Sequence, residues 1–110
     1  MRMLSFVLLA VYLVMASPAS AADETVVLEL AANGQRNTRP FTVRDRWEVR
    51  WDLRGEMVTV MIRDPDGKFV TAGGQQEKPG RGASYQPKGG TYYLDITGMG
   101  DWTVTVVQLP

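Results

Sequence analysis

The sequence predicts an all-β domain, an antiparallel β-sandwich of seven to eight strands, preceded by a cleavable signal helix. Three observations carry this expectation. Short β-patterned runs alternate with turn-forming clusters along residues 22–110, the pattern of a sandwich or barrel. The clearest run, Trp47–Leu53, puts Trp47, Val49, Trp51 and Leu53 on one face and Glu48, Arg50 and Asp52 on the other. That period of two would be scattered around the cylinder of a helix. Beyond residue 22, no segment carries an apolar repeat at helical spacing.

Residues 1–21 read as a secretory signal peptide. Arg2 supplies the positive front, residues 3–16 are apolar apart from Ser5, and Pro18 breaks the helix ahead of Ala19-Ser20-Ala21. The small-x-small pattern fits cleavage after Ala21, with Ala22 as the alternative position. The apolar run is shorter than the roughly 20 residues that span a bilayer, so no stable membrane insertion is expected after cleavage. Without a cysteine, the new N-terminus cannot be lipidated. The expected location is secreted or periplasmic, and residues 22–110 form a single domain.

The elements follow in order. In residues 25–30, Val26, Leu28 and Leu30 alternate with Val27 and Glu29. Residues 31–40 read as a polar loop turning at Asn33-Gly34. A short run, Phe41–Val43, leads to Trp47–Leu53. Arg54-Gly55 is expected to be a hairpin turn into Met57–Arg63, where Val58, Val60 and Ile62 share a face. Met57, Thr59, Met61 and Arg63 share the other, the mixed pattern of a central strand. In Asp64-Pro65-Asp66-Gly67, Pro65 presets φ, Asp64 can accept a backbone hydrogen bond and Gly67 takes the left-handed position. Residues 68–72 return as a strand. The Gly- and Gln-rich residues 73–82 read as a mobile surface loop, and residues 83–86 as a short run before Pro87-Lys88-Gly89-Gly90. Residues 91–97 and 102–108 alternate strongly and are expected to pair as a hairpin about Gly98-Met99-Gly100-Asp101.

Composition narrows the function. The chain has 12 basic and 12 acidic residues and neither cysteine nor histidine. Arg2 leaves with the signal, so the mature domain is nearly neutral and no nucleic-acid partner is expected. Small exported domains often use disulfides; this one must hold itself by packing, with Trp47, Trp51 and Trp102 supplying much buried area. Triads that need His or Cys, and His-based zinc sites, are impossible. Ser84, the one serine beyond residue 22, could pair only with Lys78 or Lys88. Both lie in glycine-rich segments that cannot desolvate an amine into a base. A carboxylate pair drawn from Asp52, Asp64, Asp66 and Asp95 would need a cleft. The domain is therefore expected to be non-catalytic, with no catalytic residue, no cofactor and no metal site.

Four features remain as candidates. Arg36, Arg39, Arg44, Arg46, Arg50 and Arg54 crowd one stretch, interleaved with Asp45, Glu48, Asp52 and Glu56. They form either a mixed solvated face or a patch for an anionic polymer. Asp64-x-Asp66-Gly67 resembles the start of a calcium loop, but the twelfth position holds Gln75 and not Glu, which favours a plain turn. Trp47 and Trp51 could stack on sugars, but they share a face with Val49 and Leu53 and are expected in the core. Tyr92 shares the Leu94 and Ile96 face and should pack inside. Tyr93, on the opposite face with Asp95, is the better candidate for an exposed aromatic.

The Met57–Ile62 strand, the Asp64-Pro65-Asp66-Gly67 turn, Gly90-Thr91-Tyr92-Tyr93-Leu94-Asp95-Ile96 and Trp102-Thr103-Val104-Thr105-Val106 resemble the second half of bacterial pre-peptidase C-terminal domains. That resemblance covers about half of the mature chain. It implies a jelly-roll-like sandwich and an accessory role beside secreted hydrolases. This chain is expected to stand free of a catalytic domain, and Trp47-Glu48-Val49-Arg50-Trp51 departs from the pattern. The expected function is an exported binding or interaction module of the bacterial envelope or extracellular space, its partner an unknown protein or envelope polymer. The alternative is a carbohydrate- or small-ligand-binding sandwich. A core tryptophan face predicts that iodide quenches the emission of the mature domain only weakly; strong quenching of most of it would overturn that assignment.

Overall fold

The computed structural model describes residues 23–110. The signal segment, residues 1–21, and the cleavage positions Ala21 and Ala22 lie outside the described residues. The described residues form nine strands and no helix: β1 (Thr25–Asn33), β2 (Arg36–Asn37), β3 (Phe41–Val43), β4 (Trp47–Leu53), β5 (Met57–Arg63), β6 (Phe69–Gln76), β7 (Gly80–Gln86), β8 (Gly90–Met99) and β9 (Asp101–Gln108). Two sheets result. One has the order β1-β9-β4-β7; the other has β2-β8-β5-β6, with β3 also on β8. Every pairing is antiparallel.

The core lies between the sheets, as the alternation requires. β4 contributes Trp47, Val49, Trp51 and Leu53, and β9 contributes Trp102, Val104 and Val106; Val58, Val60 and Ile62 of β5 and Leu94 and Ile96 of β8 face them. β5 is flanked by β8 and β6, the central place its mixed faces suggested. Residues 31–40 are not one loop. β1 runs to Asn33, and β2 and β3 lie in turn along β8. Thr38 bridges them: its N–H donates to the Leu94 carbonyl, and its Oγ1 accepts the Leu94 N–H, each at 2.9 Å. A side-chain oxygen thus replaces the ladder acceptor that the interruption removes.

Two expected hairpins are corners instead. β4 and β5 sit in different sheets, and so do β8 and β9. The apolar faces of each pair meet across the core, which a hairpin within one sheet could not achieve. The corners lock together. Arg54 and Gly55 N–H groups donate to the Asp101 carbonyl at 2.9 and 3.0 Å, and Glu56 N–H to that of Met99 at 2.6 Å. Gly55 and Gly100 touch so closely that a Cβ on Gly55 would strike the Met99 carbonyl. Residues 64–67 do make a hairpin turn, between β5 and β6. The Gly67 N–H donates to the Asp64 carbonyl at 2.9 Å, and Gly67 has φ +92°.

The segment expected as a mobile loop, residues 73–82, is largely strand. β6 reaches Gln76 and β7 begins at Gly80. The reason is Trp51. Its indole lies between Gly74 of β6 and Gly82 of β7, and its Nε1 donates to Gln76 Oε1 at 2.9 Å. A Cβ on Gly82 would sit 2.5 Å from Trp51 Cζ2. The glycines are a slot for a ring, not a source of slack. Overpacking of this kind costs roughly 1–3 kcal/mol. Gly82→Ala should therefore lower the denaturation midpoint clearly in the wild type and far less in a Trp51→Phe background. An equal loss in both would refute the slot.

Candidate functional site

The outward face of the four-stranded sheet collects the polar side chains that the alternation expels from the core. Cross-strand register sets them in three rows: Ala31, Thr103, Asp52 and Arg81; Glu29, Thr105, Arg50 and Ala83; Val26, Val107, Glu48 and Tyr85. A shallow depression of about 510 Å³ occupies the first two rows and reaches the edge of Trp51 at Gly82. Val107 is the exception. It points to this face and is buried, beside the ion cluster of Arg50.

Arg50 is the centre of the face. Its Nη2 lies 2.8 Å from Glu24 Oε2, and its Nε is bonded to Glu48 Oε1. The hydrogen bonds it donates to Glu24, and then to Glu48, push the guanidinium pKa further above its ordinary value. In return the hydrogen bond from Arg50 holds the Glu24 carboxyl below its ordinary range, against the smaller opposing effect of desolvation. Asp52 takes Arg81 at 3.4 Å and Arg54 at 3.6 Å. Thr105 Oγ1 donates to Glu29 Oε2 at 3.0 Å, and Arg54 Nη2 donates to Thr103 Oγ1 at 3.3 Å. Three guanidiniums thus stand among four carboxylates and two hydroxyls.

The arginine-rich stretch does not form one patch. Arg50 and Arg54 belong to this face, together with Arg81, which the stretch did not include. Arg36 and Arg39 lie on and just after β2, at the border of the other sheet. Arg44 and Arg46 flank the β3–β4 corner. That corner is held by buried Gln108, which accepts the Arg44 N–H at 2.7 Å and donates to the carbonyls of Arg44, Asp45 and Arg46. There Arg46 takes φ +69°. A corner between strands of opposite sheets separates residues adjacent in sequence.

Trp47 and Trp51 are in the core and offer no stacking platform. Tyr92 packs against the core, stacked on Trp47 with ring centroids 5.4 Å apart. Tyr93 is half-buried beside Gly67 of the β5–β6 turn. Among the described residues the exposed aromatics are Phe69 at 58% and Tyr85 at 53%. Alternation marks Tyr85 as opposite in face to Ser84 and Gln86, but which face is wet depends on its partner strand. Asp64 Oδ1 accepts the N–H groups of Asp66 and Lys68, both at 2.9 Å. These carboxylates make a turn, and no group of three candidate metal ligands occurs among the described residues.

Comparison with protein-family models, with curated proteins and with solved structures finds no match to the chain.

The Glu24–Arg50 pair carries a pH signature. A carboxyl depressed by folding contributes fully above its ordinary pKa, near 4.5, and loses that contribution as pH falls through its lower folded value. Glu24→Gln should lower the melting temperature slightly at pH 7 and flatten its fall in acid, so that the two curves converge. Parallel curves would show that the pair contributes nothing to stability.

Proposed function

We propose that this chain is an exported, non-catalytic binding module of the bacterial envelope or extracellular space, secreted or periplasmic in location. Its target is an envelope polymer, held on the outward face of the four-stranded sheet. One observation carries this reading: the charges there are mutually paired, donors beside acceptors, with Tyr85 exposed at the margin. A face that neutralises its own guanidiniums has little field to draw a polyanion. It does present ordered donors and acceptors to hydroxyl groups, and an exposed phenol ring on which a sugar can lie. A neutral, hydroxyl-rich glycan chain fits this chemistry, and the carbohydrate alternative becomes the preferred one.

The strand order supports a jelly-roll reading of the sandwich. Apart from β2 to β3 and β5 to β6, each successive strand lies in the opposite sheet. This agrees with the resemblance to pre-peptidase C-terminal domains. The pattern of residues 1–21 supports export.

Affinity electrophoresis of the mature domain tests the proposal, in gels cast with a neutral β-glucan, a neutral galactomannan or a polyanion. Retardation by a neutral glycan is expected, weakened roughly tenfold by Tyr85→Ala. Retardation by the polyanion alone, or binding indifferent to Tyr85→Ala, would overturn it.

A further inference from the structure

The borders of the two sheets are not alike. β2 and β3 are two and three residues long. β6 is interrupted by two register shifts along β5. Gly74 of β6 and Gly82 of β7 are drawn together over Trp51, and Arg81 adds an exposed charge to β7. Short strands, bulges, charges and covered edges all stop a border from pairing with another chain. β1 lacks these devices over most of its length. It has nine residues, and its one register shift falls near its start, opposite Val106 and Val107. Residues 28–33 run in regular register with β9. β1 contains no proline, lysine or arginine, and Glu29 is its one charge. Outside the β9 ladder, no backbone–backbone hydrogen bond among the described residues uses it.

This border is also open on its inner side. Leu28, Leu30 and Ala32 pack against the core, yet each is only half-buried. The opposite sheet ends there in the interrupted strands β2 and β3. A groove of about 510 Å³ lies between, lined by residues 26–30 of β1 and by Asn37, Thr38 and Arg39. A strand laid beside β1 would satisfy its free N–H and C=O groups and bring side chains over these leucines.

A second copy of β1 is the occupant whose pattern fits. Two antiparallel copies related by a two-fold axis can pair only in certain registers. Centring between two residues sets inward side chains opposite outward ones. Centring on Glu29 opposes like charges, and centring on Ala31 runs Leu28 past the end of the partner strand. Centring on Leu30 pairs Leu28 with the partner's Ala32, Glu29 with the partner's Ala31 and Leu30 with its own copy. Inward then meets inward, each larger side chain meets an alanine, and the carboxylates stay apart. We propose that the mature domain forms a two-fold dimer by antiparallel pairing of β1 with β1, centred on Leu30. The two four-stranded sheets become one continuous sheet. Because each copy uses its one open border, the assembly closes at two. The pairing does not depend on the glycan reading, and its test contains no glycan.

Sedimentation velocity of the mature domain, from about 1 μM to about 500 μM, should show a monomer–dimer equilibrium with no larger species. Position 31 is exposed. Ala31→Glu sets a carboxylate against Glu29 twice across the axis and should weaken the dimer roughly tenfold, whereas Ala31→Lys should tighten it. The protein has no cysteine, so Leu30→Cys introduces a single thiol that faces its own copy. Mild oxidation should link this variant into a covalent dimer and leave Ala83→Cys, on β7, largely monomeric. Monomer at every concentration, larger assemblies, or the same response to both charges at position 31 would overturn the proposal. So would cross-linking no faster in Leu30→Cys than in Ala83→Cys when both melt like the wild type.

Discussion

The indole of Trp51 is the contact on which the arrangement of the two sheets most depends. It grows from a central strand of one sheet and ends between a glycine of each sheet's border strand, Gly82 of β7 and Gly74 of β6. A single side chain therefore sets how closely the sheets approach along that edge. Neither glycine can acquire a Cβ without moving a rigid ring in a packed interior. The hydrogen bond to Gln76 fixes the ring's orientation as well as its depth.

The other tryptophans work by the same logic. Each buries its ring in the core and sends its one polar atom to a neighbouring segment: Trp47 to the Lys88 carbonyl and Trp102 to that of Gly34. An indole N–H buried without an acceptor would be penalised, so each ring is bound to one orientation and each connecting segment to one ring. A small domain with no disulfide obtains cross-links of a kind this way. They are weaker than covalent bonds, but they join segments distant in sequence, as a disulfide would.

Rigid packing inside has consequences outside. Since each strand commits one face to the core, its other face is presented at fixed register, and charged groups and hydroxyls from four strands meet as ordered partners.

Much of this was legible from residue order. The inward residues of β4, β5 and β9 follow from a period of two, because a half-buried strand must alternate. The Asp64–Gly67 turn follows from Pro and Gly preferences, which are local. Three readings failed for one shared reason. The two corners looked like hairpins, and the glycine-rich strand ends looked like a loop, because sequence records that a chain turns but not which sheet receives it. The candidate face was legible only in part. Arg50 and Asp52 were visibly outward on β4, yet Arg81 and Tyr85 join them through β7, a partner no local pattern names. Sequence by itself determined the β class, the core faces and the lack of histidine and cysteine chemistry, since these rest on alternation and residue type. Tertiary structure alone decided which strands pair, which arginines meet carboxylates and where Trp51 lodges, since these depend on contacts between residues far apart along the chain.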